Sequence, residues 1–471
     1  MSYIAAINSG CVVAGDTLAM IESASGREHG YLLQMPHQDF YVFLIRFFNR
    51  FFGIGNYLPY AFMNLACVGV IVATVAKITD AVFKDNKTTV ILLLLMAAFF
   101  PFAYTLHSCF NDWPALACFL VALCVFISKV DSKKFWCAVI CVLFSILAIL
   151  FKGTFLIYVL FWMLWGFLSF VSNRKISHFA MPVLCFASAL FAQEQFIRFY
   201  EARYMPDFAK NRADAIREQV ASEANRNEIP DRRKFPRLPK ACWVAMGLQS
   251  DRFDPENGRT VDHVTSPKSL NGKWCGTWNA FVLHGRGELS EEALKARARE
   301  SVGKSFLGFA RDPLYAAHFS IRKIAVLWVT PPLSDMALIK GRLCFWAYDF
   351  AWDVGNANAA GRFFFDKDGL GHSGIRNVYE GWKFLVFLFS AVGFFLLFRD
   401  RKSIPNPFVP LLATIPLCGF FFYLFWEVLP RYAIPMLLPL AIVAAYGIAR
   451  CSEADPRKAI SRIFSRRQRG Q

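Results

Sequence analysis

Four short stretches of this chain carry ionisable residues of types that can do chemistry together. They are "AGDTLAMIESASG" with Asp16 and Glu22, "HSCFND" with His107 and Asp112, "FKG" with Lys152, and "WEVLPRY" with Glu427 and Arg431. A carboxylate set beside a hydroxyl can take its proton as the oxygen attacks an electrophilic carbon. A lysine or arginine can hold a phosphate and stabilise the charge it gains on leaving. The combination suits transfer of a phosphate-linked group to a hydroxyl. His37, Gln38 and Asp39, just after Pro36, offer further polar groups for a sugar, although a turn after proline explains them too.

These residues interrupt a chain that is 56% hydrophobic, with 50 Phe and 12 Trp. Nine apolar runs approach the roughly 20 residues a helix needs to cross a bilayer, near 57–78, 89–107, 113–129, 135–151, 154–172, 178–197, 379–398, 407–426 and 431–449. The expected fold is an all-α polytopic membrane protein. Its net charge of +17 gathers at alternate span ends, at Lys84 and Lys87, Lys129, Lys133 and Lys134, Arg174 and Lys175, then Arg399, Arg401 and Lys402. The tail from Arg450 adds more. Nine crossings put all of these on one side, the positive-inside pattern, so the charge points to lipid headgroups and away from nucleic acid. The four reactive stretches then share the opposite, outer side, with the C-terminus cytoplasmic.

Five regions follow. Residues 1–56 form an outer loop and an amphipathic helix, in which Arg46, Asn49 and Arg50 share one face and phenylalanines cover much of the rest. That pattern suits a helix lying in the membrane interface, or one packed beneath an outer loop. Residues 57–197 are a six-span block, 198–378 a long outer region, 379–449 a three-span block and 450–471 a basic tail. The outer region holds a helix beginning near Ser290, then the apolar stretch "DPLYAAHFSIRKIAVLWVTPP". Counting that stretch as a crossing would invert every later loop, so it is expected to lie against the membrane, with Arg322 and Lys323 anchored at headgroups. An outer N-terminal loop ahead of the first span also leads us to expect a further span before this sequence. The 13 Cys show no metal-ligand spacing; Cys242 and Cys275, both in the outer region, have the opportunity to pair.

Read in order, these stretches resemble polyprenol-phosphate-sugar-dependent membrane glycosyltransferases of the GT-C type. The similarity is to the bacterial branch related to protein O-mannosyltransferases and aminoarabinose transferases. "GDTLAMIESASG" is similar to that family's acidic first outer loop, and "MPHQDFYVFLIRFFNRFFG" to the amphipathic segment after it. "FPFAYTLHSCFNDWPALACFLVALCVFI" resembles its second acidic site, "ILFKGTFLI" its Lys-Gly step and "EVLPRYAIPMLLPLAI" its late Arg-Tyr and Pro-rich span. "CWVAMGLQ" with "GTWN" is similar to the outer loop of Gram-positive members.

The resemblance implies sugar transfer from a polyprenyl-phosphate donor to a cell-envelope glycan, lipid or protein, on the outer face of a bacterial plasma membrane, with inversion. Asp16 is then the expected base and Asp112 a second acidic site residue. Lys152 and Arg431 would bind the lipid phosphate, and His37, Gln38 and Glu427 the donor. Each has a plainer reading: Asp16 and Asp112 as helix-start residues, Lys152 as a headgroup anchor, and Arg431 as a partner of Glu427. His107 is read as structural. Trp243, Met246, Trp274 and Trp278 are read as packing residues of the outer loop, or as contacts to acceptor or sugar rings. Glu22 lies six residues beyond Asp16, too far around a helix to share its site. No spacing demands a metal; a divalent cation such as Mg or Mn would have Asp16 and Asp112 as its oxygen ligands. The rival functions are a lipid-linked-oligosaccharide flippase or other transporter, and an O-antigen-type polymerase.

Overall fold

The computed structural model describes residues 11–13, 20–21, 23–25, 36–53, 56, 58–99, 111–129, 135–222, 239–248, 291–329, 336–339, 342–345, 350–353, 370–399, 408–428 and 430–453. Among these the chain is overwhelmingly helical. The helices are α1 (Asp39–Phe52), α2 (Leu58–Phe83), α3 (Asn86–Ala97), α4 (Asp112–Lys129), α5 (Phe135–Phe151), α6 (Phe155–Asn173) and α7 (Ile176–Ser222). They continue with α8 (Lys240–Leu248), α9 (Glu291–Arg311), α10 (Pro313–Ile324), α11 (Leu370–Arg399), α12 (Val409–Phe425) and α13 (Ile434–Glu453).

Eight of the nine apolar runs coincide with one of these helices; the run 89–107 is met by α3 only as far as Ala97, and residues 100–107 lie outside the described residues. Five described helices are long and apolar enough to cross a membrane, within α2, α6, α7, α11 and the segment Arg431–Glu453. Four are shorter apolar helices, α3, α4, α5 and α12. α7 continues well past the predicted end of its run, and α11 starts before its own. Phe62, Leu65, Phe191, Phe384, Phe395, Leu417 and Phe421 lie exposed along these helices, as expected of surfaces that meet lipid.

An all-helical chain is the expectation; the structure adds a small antiparallel sheet. Strands β1 (Cys11–Val13), β2 (Met336–Ile339), β3 (Arg342–Phe345) and β4 (Phe350–Asp353) lie in the order β1-β4-β3-β2. β1 pairs Cys11 with Trp352 and Val13 with Phe350. Period-3.6 patterning cannot reveal a three-residue strand whose partner lies far along the chain, at residues 350–353.

The helix ends sort into two groups. At one, Phe83 of α2 stacks on Tyr446 of α13 with ring centroids 4.6 Å apart, and Lys87 of α3 approaches Glu453 of α13 at 3.7 Å. Asp85 caps α3 by accepting from the amides of Lys87 and Thr88. At the other group, the start of α4 meets the end of α5, and the end of α12 runs into α13 through a 3-10 turn, Pro430–Ala433. The length of α13, about 30 Å, separates the two.

Where α11 crosses α13, glycine permits backbone contact. A Cβ at Gly393 would lie 2.4 Å from the Val443 carbonyl oxygen, and one at Gly447 would lie 2.3 Å from that of Phe389. Small residues at such crossings let the backbones of membrane helices approach closely. Replacing Gly393 or Gly447 by Ala should therefore destabilise the bundle by about 1–3 kcal/mol. The readout is a lower midpoint of thermal unfolding in detergent. Gly381→Ala, on the same α11 with open space around it, should leave that midpoint unchanged or raise it.

Candidate functional site

The site begins with Lys152. α5 ends at Phe151, and the chain turns through Lys152, Gly153 and Thr154 into α6, the Phe155 amide donating to the Lys152 carbonyl at 2.9 Å. Gly153 is needed there because a Cβ would lie 2.9 Å from the Gln193 amide nitrogen and 3.2 Å from His37 Cβ. The turn thus brings Lys152 beside His37 in the Pro36–Gln38 turn and Gln193 of α7.

Lys152 Nζ donates to Asp112 Oδ1 at 2.5 Å, and its side chain is only 8% exposed. Its ammonium is thus committed to a buried ion pair. Asp112 is the first residue of α4, and its carboxylate serves the ion pair; the helix N-terminus complements its negative charge as well. Its other oxygen, Oδ2, is buried and has no hydrogen-bond partner among the described residues.

Gln38 joins through Asn111. The Asn111 amide donates to Gln38 Oε1 and to the Phe151 carbonyl, the latter at 2.6 Å. The second half of the site comes from the α12–α13 connection. Tyr432 donates to Glu427 Oε1 at 2.6 Å, and Tyr158 of α6 reaches the Tyr432 carbonyl at 3.4 Å. The Tyr432 ring lies between two cations, with Lys152 Nζ 5.9 Å and the Arg431 guanidinium 5.7 Å from its centroid. Glu427 and Arg431 are both buried.

Six expected site residues thus converge: His37, Gln38, Asp112, Lys152, Glu427 and Arg431. Asp16, Glu22, His107, Trp274, Trp278 and Cys275 lie outside the described residues, so the expected base and the Cys242–Cys275 pairing do too. Sequence reasoning missed Asn111, Gln193 and the central role of Tyr432. Asn111 adjoins Asp112 in "ND" and Tyr432 follows Arg431 in "RY", but Gln193 gave no signal at all.

Asp39 is fully buried at the first turn of α1. One expectation needs correction. Lys323 is no headgroup anchor: it is 1% exposed and donates to backbone carbonyls, while Arg322 beside it is exposed. The amphipathic helix is also divided otherwise than by charge. Its polar face turns partly inward, with Arg46 over the Tyr204 ring at 4.4 Å and Asn49 accepting from Tyr60. Phe47, Phe51 and Phe52 are exposed instead.

Among the described residues no group of three or more His, Cys, Asp or Glu could hold a metal ion. Of the two expected oxygen ligands, Asp112 is committed to its ion pair with Lys152 and Asp16 lies outside the described residues. Compared with known family models, curated proteins and solved structures, the chain matches none.

Burial, aided by the charge of Lys152, pulls the His37 imidazole down to about 4. His37 is then neutral in the folded protein at neutral pH, whereas an unfolded chain protonates it near 6.5. Between those values the unfolded state binds more protons, so stability falls as pH drops from about 6.5 to about 4. Chemical denaturation across that window should show a shallower pH slope in His37→Gln than in wild type.

Proposed function

We propose that this chain is a membrane glycosyltransferase that moves a sugar from a polyprenyl-phosphate donor to a hydroxyl of a cell-envelope acceptor. The observation that carries this reading is the Asp112–Lys152 pair beside Tyr432, Glu427 and Arg431 at one set of helix ends. Cations and carboxylates from distant parts of the chain meet where a lipid headgroup would sit. In the same reading the nine apolar helices all cross the membrane, and the site lies on the outer face of a bacterial plasma membrane.

The acceptor oxygen attacks the anomeric carbon and forms a C–O bond as the bond from that carbon to the phosphate oxygen breaks. The bonding electrons leave with the polyprenyl phosphate, whose growing negative charge Lys152 and Arg431 stabilise. The acceptor proton passes to a carboxylate, with Asp16 as the proposed base. Asp112 orients Lys152 through their ion pair. Attack opposite the leaving phosphate inverts the anomeric configuration. The packing of Met20, Ile21 and Ala24 against Tyr41, Val42 and Ile45 of α1 favours this assignment of Asp16. It secures the segment after Asp16 beside the helix that begins next to His37 and Gln38. A transporter would carry its charges in mid-span; here the paired charges stand at helix ends.

Purified protein in detergent should transfer label from a defined polyprenyl-phosphate sugar to cell-envelope extract. Losing a donor that stabilises developing charge costs about 10²–10³ in rate. Lys152→Met and Arg431→Met should each fall by that order, and Asp16→Asn should abolish transfer. Wild-type rates in Lys152→Met would sink the phosphate assignment, and wild-type rates in Asp16→Asn would sink the base.

A further inference from the structure

The outer region meets the candidate site through one buried lysine. Lys323, near the end of α10, is 1% exposed. Its Nζ donates to the Gly247 carbonyl of α8 and, at 2.9 Å, to the Leu424 carbonyl of α12. Both carbonyls lie in the last turns of their helices, where no intrahelical partner is available and the helix dipole favours a cation. Glu427 is near enough to act on the Lys323 ammonium electrostatically.

The joint is closely fitted around that ammonium. A Cβ at Gly247 would lie 2.3 Å from the Phe425 carbonyl oxygen and 2.4 Å from the Trp426 carbonyl carbon. Only glycine lets α8 lie directly on the end of α12. Next to it Trp243 stacks on Trp426 with centroids 6.3 Å apart and planes inclined by 13°. Beyond Lys323 the chain continues as a π-helical turn, Ala325–Val329, which packs against the Pro430–Ala433 turn carrying Arg431 and Tyr432. Lys383 of α11 then donates to the Val329 carbonyl at the end of that turn.

We propose that Lys323 is a positioning residue, the clasp that seats helix α8 of the outer region on the end of α12 beside Glu427 and Arg431. The geometry fits a clasp better than a chance burial. One ammonium closes two helix ends from separate regions of the chain, and its own helix leads into the turn packed on Arg431. Burial draws the ammonium down to about 7 against the opposing charge of Glu427. The neutral amine still has two hydrogens for its two carbonyls, so the joint survives either protonation state. The link to catalysis rests on the proposed transferase reading; the clasp itself does not.

The test compares wild type with Lys323→Met, Gly247→Ala and, as a neighbouring exposed control, Arg322→Met. Hydrogen exchange of residues 240–248 should quicken by about tenfold or more in the first two variants. The circular-dichroism signal of the Trp243–Trp426 stack should weaken in both. The amides of α13 should exchange as in wild type, showing that the bundle remains folded. Arg322→Met should change none of these. Gly247→Ala opens the same joint without touching the charge, so the proposal stays testable if Lys323→Met does not fold. Unchanged exchange at 240–248 in a folded Lys323→Met or Gly247→Ala protein would overturn the clasp. An opened joint with wild-type kcat and KM for transfer would overturn its role in positioning the site. Absence of transfer by wild type itself would count against the transferase reading alone, since exchange and the Trp signal need no substrate.

Discussion

Helix C-termini that stop among other helices, away from water, leave carbonyl oxygens that something must satisfy. This constraint organises the site-bearing end of the molecule. The Asn111 amide takes the Phe151 carbonyl at the end of α5, and Trp382 Nε1 takes that of Leu95 near the end of α3 at 2.7 Å. Lys323 takes those of Gly247 and Leu424, and Lys383 that of Val329. An unsatisfied buried polar group costs about 1–3 kcal/mol, so these long side chains fix which helix ends lie together. Each donor comes from a different element than its acceptor, and the helix ends are therefore tied to one another.

The ion pair follows from the same geometry. Asn111 holds the start of α4 to the end of α5, which places Asp112 next to Lys152, the residue immediately after α5. A buried ammonium without a counter-charge is strongly unfavourable, and removing one partner of such a pair costs about 3–5 kcal/mol. Tyr432 connects this pair to Glu427 and Arg431. The ring gives two cations a shared electron-rich surface while its hydroxyl is committed to a carboxylate. Positive charge is thereby concentrated in one place without the two cations bonding to each other.

Much of this was legible in the sequence. Apolar runs gave the helices because a helix that meets lipid must be apolar along its length, whatever its partners. Asp112, Lys152 and Arg431 stood out because they flank the apolar runs at the ends opposite the basic clusters. The burial of Lys323 was not legible: in "FSIRKIAV" it looks no different from Arg322, and its acceptors are 76 and 101 residues away. The burial of Asp39 was not legible either, since it is set by how α1 packs and not by neighbouring residue types. Gln193 reads as an ordinary polar interruption of an apolar run, and only the Lys152–Gly153 turn gives it a place. The sheet escaped notice because its strands are too short to carry a period.

That sheet has a consequence for the order in which the molecule is completed. β1 ends at Val13, three positions ahead of Asp16, and among the described residues pairs with β4, whose residues 350–353 come late in the chain. Chains emerge N-terminus first, and contacts between distant segments form only once both exist. Helices α2 to α7 can therefore be in place while β1 still lacks its partner β4. A nascent protein would carry Lys152 and Asp112 already paired, yet wait for residues 350–353 before β1 gains that partner.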